Sequence, residues 1–182
     1  MAHSSERPVV WLMIGIPYAG KSTYIAGDPL LSRLPVLSFD AEVMHVTRGH
    51  YERWADAVDE AGRRFEVRKQ KLLAARASFV IDMTNLRAEE GRRPLIRELH
   101  AAGFAVVGLV FPPPTADDIL RRMAARPFQK VPPEVLLTMI DRWQAEPPVK
   151  EEGFDELRWV TGTTQLRFNH LSDVRGQSPK PV

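Results

Sequence analysis

Apolar residues gather in five short runs along this chain: PVVWLMI at 8–14, PVLSF at 35–39, SFVID at 78–82, FAVVGLVF at 104–111 and ELRWV at 156–160. Most are continuous rather than alternating in polarity, the pattern of strands covered on both faces. Between the runs the period changes. From Tyr51 to Arg76, the residues Trp54, Val58, Ala61, Phe65 and Leu72 recur at helical spacing and form one apolar face. A second helical stretch covers 89–102 and stops at Gly103, and two more follow Pro114 and Pro133. In the last of these, Val135, Met139 and Trp143 stand at i, i+4 and i+8. Strands alternating with helices predict an α/β three-layer sandwich: a parallel sheet of about five strands, right-handed crossovers, and helices on both faces. One domain is expected over 1–162, with 163–182 a flexible tail, because RGQSPKPV has no apolar anchors. Pro112-Pro113-Pro114 reads as a stiff turn inside the domain, and no internal repeat is visible.

Composition narrows the function classes only a little. The 182 residues are 44% hydrophobic and 26% charged, enough for one sizeable core. Net charge is +2, which permits a nucleic-acid partner without requiring one. There are no cysteines, so disulfides and zinc–thiolate sites are excluded. The five histidines show no metal-ligand spacing. The N-terminus has no basic segment leading into a long apolar one, and the run from Val9 to Ile16 is too short to span a bilayer. A cytoplasmic protein without membrane contact is expected.

The chemistry begins where the first apolar run ends. MIGIPYAGKST at 13–23 fits G-x-x-x-x-G-K-[ST] at Gly15, Gly20, Lys21 and Ser22. Glycines there let backbone N–H groups turn inward and cradle phosphate oxygens, and the helix opening near Gly20 points its positive end at the same charge. Lys21 would reach the β and γ phosphates of ATP, and Ser22 would ligate Mg2+, while Ala19 and Thr23 complete the nucleotide-binding loop. Tyr18 is unusual, since a small residue would fit more easily; its ring either points out over the nucleotide or covers the loop. No N-K-x-D or T-K-x-D motif reads a guanine base.

Phosphoryl transfer needs positioning, charge neutralisation and a carboxylate to orient the attacking oxygen. Asp40 ends the second apolar run and Asp82 the third, and strand ends of a parallel sheet open on the ligand crevice. Asp40 is the candidate general base; its competing role is to cap a helix starting at Ala41. Asp82 is placed to hold magnesium; its competing role is a turn with Thr84 and Asn85. After the fourth run, LRRMAARPFQKVPPEV carries Arg121, Arg122, Arg126 and Lys130, where a mobile lid would close over a triphosphate. Guanidinium forks suit phosphate oxygens, so Arg122 and Arg126, at i and i+4, are candidate nucleotide ligands, and Arg126 a candidate catalytic cation. Two further basic sets could track a polynucleotide backbone or be ordinary surface: Arg64, Arg68 and Lys71, and Arg87, Arg92, Arg93 and Arg97.

Together, GIPYAGKST, LSFD, FVIDMTNLRAEEGRRPLIRELHAAGFAVVGLVF, the RRMAAR…VPPEVL lid and EGFDEL resemble the polynucleotide-kinase branch of the P-loop kinases over residues 8–160. The stretch 79–111 also resembles the corresponding domain of heterogeneous nuclear ribonucleoprotein U. The resemblance implies a P-loop kinase fold, ATP and Mg2+ as cofactors, and Asp40 as general base. It implies Arg126, then Arg122, as lid contacts to the nucleotide. Asp82, Thr84 and Asn85 would border the acceptor pocket. Family 5′-hydroxyl kinases often carry an arginine three residues after the base; here that residue is Val43. Similar phage kinases phosphorylate 5-hydroxymethyluracil in DNA. The expectation is therefore transfer of the γ-phosphate to a hydroxyl of a nucleic acid, DNA rather than RNA, at a 5′ end or a 5-hydroxymethyl pyrimidine base. A small-molecule kinase, of a metabolite or an antibiotic, and a non-catalytic RNA-binding module are the alternatives.

Overall fold

The computed structural model describes residues 7–125 and 131–160. Arg126, Lys130 and the expected tail at 163–182 lie outside the described residues. The elements run β1 (Val9–Ile14), α1 (Lys21–Gly27), β2 (Val36–Ser38), α2 (Phe39–Val46), α3 (Trp54–Ala74), β3 (Phe79–Asp82), α4 (Arg93–Ala101), β4 (Ala105–Val110), α5 (Ala116–Ala124), α6 (Pro133–Ala145) and β5 (Glu156–Trp159). The sheet order is β2-β3-β1-β4-β5 and every pairing is parallel. The α/β class and the five-stranded parallel sheet expected from the apolar runs are therefore what forms.

Burial on both faces explains why those runs are continuous. Val10, Leu12 and Ile14 of β1 pack to one side with Phe79, Ile81, Phe104, Ile96 and Leu99. Met13 packs to the other side with Val80, Leu109, Phe111, Ile25 and Leu31. Each strand thus spends alternate residues on opposite cores.

Several boundaries differ from the sequence expectation. The second run is strand only to Ser38, and Phe39 and Asp40 already belong to α2. Asp40 therefore sits in the first turn of that helix rather than ending a strand. It does not cap a helix starting at Ala41, because Ser38 is the N-cap and its hydroxyl accepts from the Ala41 N–H at 3.4 Å. The expected helix at 51–76 opens with a 3-10 turn at Tyr51–Arg53. Its Trp54 is 38% exposed, while Ala57 and Ala61 are buried. In α6 the buried residue is Leu136, and Val135 is 40% exposed. Among the described residues, no helix is long and apolar enough to cross a membrane.

Candidate active site

The phosphate loop occupies the bend between β1 and α1. Gly15 is required by close approach: a Cβ there would lie 2.8 Å from the Phe111 carbonyl oxygen. Gly20 is required by conformation, since it caps α1 in the left-handed region at φ 96. The loop is tied down at its start. The Gly15 N–H donates to the Thr84 carbonyl at 3.0 Å, and the Asn85 side-chain amide donates to the Met13 carbonyl at 2.7 Å. Lys21 is buried, and its ammonium donates to the carbonyls of Gly15 and Ile16, each at 2.9 Å. It is thus folded inside the curve of the loop, where phosphate oxygens would be cradled.

Ser22 and Asp82 meet across the sheet edge: the Ser22 hydroxyl donates to Asp82 Oδ2 at 2.9 Å. The third run thus ends with a carboxylate beside the loop, in register with Met13 of β1 and Ser38 of β2. A hydroxyl and a carboxylate are hard oxygen donors that suit magnesium. That ion takes one or two protein ligands and completes its shell with water and phosphate.

Asp40, exposed in the first turn of α2, lines the same cavity as Lys21, Ser22, Asp82 and Thr84. The structure does not turn Asn85 into that cavity. With φ 49, it spends its amide on the backbone of β1 instead. Of the D-x-T-N set, Asp82 and Thr84 reach the cavity and Asn85 braces the loop from behind.

Tyr18 receives a definite role. Its ring is buried in an apolar cluster with Ile16, Leu86, Ile119 and Leu136, and the residue also lines the cavity. Its backbone is left-handed at φ 66. Its carbonyl accepts from Arg122 Nη1 at 2.6 Å, and its hydroxyl accepts from the Val131 N–H at 3.1 Å. The side chain therefore joins the phosphate loop to α5 and to the segment entering α6. Ala19 packs beside it, and Thr23 lines the cavity.

The cavity has a volume of about 1750 Å³. Roughly 300–1,000 Å³ is usual for one bound small molecule. Its lining extends past the phosphate loop to a first set, Tyr24, Phe111 and Pro112–Pro114, and a second set, Phe39, Met44, Tyr51, Trp54, Val135 and Met139. Sequence reasoning singled out none of the second set as functional. Tyr51 is notable among them. Burial, the Asp40 carboxylate and the neighbouring Tyr18 push its hydroxyl up to about 12, so it stays protonated at neutral pH. The sequence carried one weak signal for this second set: Trp54 fits helical periodicity yet follows Glu52 and Arg53 directly.

A family model described as an AAA domain, AAA_33, matches residues 10–147. The chain belongs to this family. Solved structures share the architecture. A candidate kinase from Chloroflexus aurantiacus is 22% identical, with TM-score 0.60, covering 85% of this chain and 88% of that one. A structure from the PezAT chromosomal toxin–antitoxin system of Streptococcus pneumoniae is 18% identical, with TM-score 0.62, covering 86% and 70%. Shikimate kinase from Acinetobacter baumannii, solved with shikimate, is 18% identical, with TM-score 0.50, covering 86% and 85%. At these identities the likeness establishes the P-loop kinase fold. No curated protein matches the chain in sequence.

In this family member the two extra basic sets serve largely as ion-pair partners. Arg64 and Arg68 both bond Glu42, whose side chain is buried between α2 and α3. Arg92 is no surface residue: it is 1% exposed and grips Glu152 at 2.6 and 2.8 Å. It also donates to the carbonyls of Asn85, Leu86 and Glu146. Arg87 pairs with Glu90 and Arg93 with Glu89. Arg64, Arg68, Arg87 and Arg93 keep partly exposed guanidiniums beside these carboxylates, whereas Arg92 is withdrawn from the surface.

Proposed function

We propose that this protein is a kinase that transfers the γ-phosphate of ATP to an alcohol hydroxyl, with Mg2+ as cofactor. One observation carries the reading: the phosphate loop, the Ser22–Asp82 pair and the Asp40 carboxylate all open on a single cavity. Lys21 and the loop N–H groups would hold and neutralise the phosphates. Bound magnesium, held by Ser22 and Asp82, would supply further neutralisation of the transferring group. Asp40 would accept the proton of the acceptor hydroxyl as its oxygen bonds to the γ-phosphorus. The bridging P–O bond breaks with its electron pair leaving on ADP. Arg122 stands beside the loop through Tyr18, and Arg126 is proposed as the lid cation that closes over the triphosphate. A purely non-catalytic RNA-binding module would have no use for a base in this position.

Two acceptor classes follow. Solved structures of this fold bear the names shikimate kinase and gluconokinase, which supports a small-molecule alcohol. The polynucleotide-kinase motifs at Asp40, Asp82 and Thr84 support a DNA hydroxyl, and of its two forms the hydroxymethyl base is favoured. Val43 is fully buried against Ala57 and Ala61, so that position reaches no substrate phosphate. Phe39, Tyr51 and Trp54 of the cavity lining would instead stack a base flipped from the duplex. Incubation with γ-labelled ATP and a panel of alcohols, 5′-hydroxyl oligonucleotides and hydroxymethylated DNA tests the reading. Label should enter one acceptor class; ATP binding with no label in any acceptor overturns it.

A further inference from the structure

Tyr18 stands at a loop position whose backbone favours glycine, and the fold uses the side chain that glycine would lack. Its φ of 66 lies in the left-handed region. A non-glycine residue persists there only where its surroundings hold it, and such residues gather at functional sites. Here the surroundings belong to α5 and α6. Tyr18 is 7% exposed and shares a cluster with Ile119 of α5 and Leu136 of α6, against which Met123 of α5 also packs.

Ile119, Arg122 and Met123 stand at i, i+3 and i+4, which puts them on one face of α5. Ile119 and Met123 pack in the Tyr18 cluster, and Arg122 meets the backbone of the same residue: its Nη1 donates to the Tyr18 carbonyl at 2.6 Å. That nitrogen also lies over the loop, 3.6 Å from where a Cβ on Gly20 would stand. A guanidinium carries five N–H donors in a fixed fork. The bond to Tyr18 orients the fork and leaves further donors for phosphate oxygens, which suit its geometry. Arg122 lines the cavity together with Lys21 and Ser22.

We infer that Tyr18 is a positioning residue for nucleotide binding: its buried ring docks α5 on the phosphate loop and so presets Arg122 for the triphosphate. This rests on the kinase reading above and adds to it a side chain that acts through another. Fixing a long, rotamer-rich side chain costs entropy, and a seat built into the fold meets that cost before ATP binds. The left-handed turn is what sends the Tyr18 ring towards α5 and α6 while its carbonyl receives Arg122.

A double-mutant cycle on the full chain tests this, with ATP dissociation constants read by titration in the presence of magnesium. Arg122→Gln and Tyr18→Gly should each weaken ATP binding by about tenfold. The double variant should bind no more than about threefold more weakly than Arg122→Gln alone, because the ring acts through the arginine. Tyr18→Phe keeps the ring and should bind ATP about fivefold more tightly than Tyr18→Gly. A residue that merely stabilises the fold would lower Tm without such coupling. Where Tyr18→Gly does not fold, Tyr18→Asn, which tolerates the left-handed region but lacks the ring, replaces it in the cycle. A greater further loss in the double variant, as when the two effects multiply to about a hundredfold, overturns the inference. Wild-type affinity in Tyr18→Gly or in Arg122→Gln also overturns it, as does a Tyr18→Phe variant as weak as Tyr18→Gly. Those outcomes leave the kinase reading in place. Failure of the wild-type protein to bind ATP overturns the kinase reading and the inference with it, so the two failures are told apart.

Discussion

Asp40 combines exposure on the cavity with a place in the first turn of α2, where a carboxylate also suits the helix dipole. Asp40→Asn keeps shape and hydrogen-bonding capacity but cannot accept a proton. Turnover should fall by about 10²–10⁴ while ATP affinity is retained, as measured by steady-state kinetics and nucleotide titration. Gly15 makes the opposite kind of prediction. Its alanine variant must push Cβ into the Phe111 carbonyl and side chain. A loss of about 1–3 kcal/mol in denaturant unfolding, together with weaker ATP binding, is expected. Both residues were legible in the sequence because phosphate cradling and proton abstraction demand particular residue types. Tyr18 was legible only as an anomaly. Its partners Arg122 and Val131 lie more than a hundred residues away in the chain, and no local pattern announces them.

At the scale of elements, α2 and α3 are held together by one buried carboxylate. Burial pushes Glu42 up, but hydrogen bonds from Arg68 and Arg64 outweigh it and hold its carboxyl below the ordinary range. A folded-state pKa below the unfolded one stabilises the protein above the unfolded value, about 4.3 for Glu. That contribution disappears as pH falls through the folded value. Thermal melts from about pH 6 to about pH 3 should therefore show a fall in Tm that Glu42→Gln flattens, the variant being less stable at neutral pH. The α2–α3 pair also carries Asp40 and Trp54, and Tyr51 stands in the turn just before α3, so this clamp supports three residues of the cavity lining. The helix pattern at 51–76 was plain in the sequence. The use of Trp54 as cavity wall was not, because periodicity reports which residues share a face and not what that face meets.

For the whole molecule, the parallel sheet places the ends of β1, β2 and β3 on one crevice, which is why the phosphate loop, Asp40 and Asp82 converge. The Arg92–Glu152 pair locks the segment after β3 to the turn before β5. Each side chain is 1% exposed, so removing either partner leaves a buried charge. Glu152→Ala should cost about 3–5 kcal/mol in equilibrium unfolding. Replacing Arg92 and Glu152 together with methionine should cost much less, since the charge penalty goes with the pair.

The sequence by itself determined the fold class, the phosphate loop and Asp82 at the end of β3; Asp40, expected at a strand end, stands in α2. Continuous apolar runs, helical periodicity and fixed glycines are local consequences of burial and backbone geometry. Tertiary structure decided where the arginines went. Arg64, Arg68 and Arg92 read as basic surface in the chain, yet all three pair with carboxylates buried in the fold. It also decided that Tyr18 joins the phosphate loop to Arg122 and Val131, that Asn85 holds β1, and that Phe39, Tyr51 and Trp54 line one cavity with Asp40. These depend on residues distant in sequence meeting in space, and partner identity across such distances leaves no periodic trace in the chain.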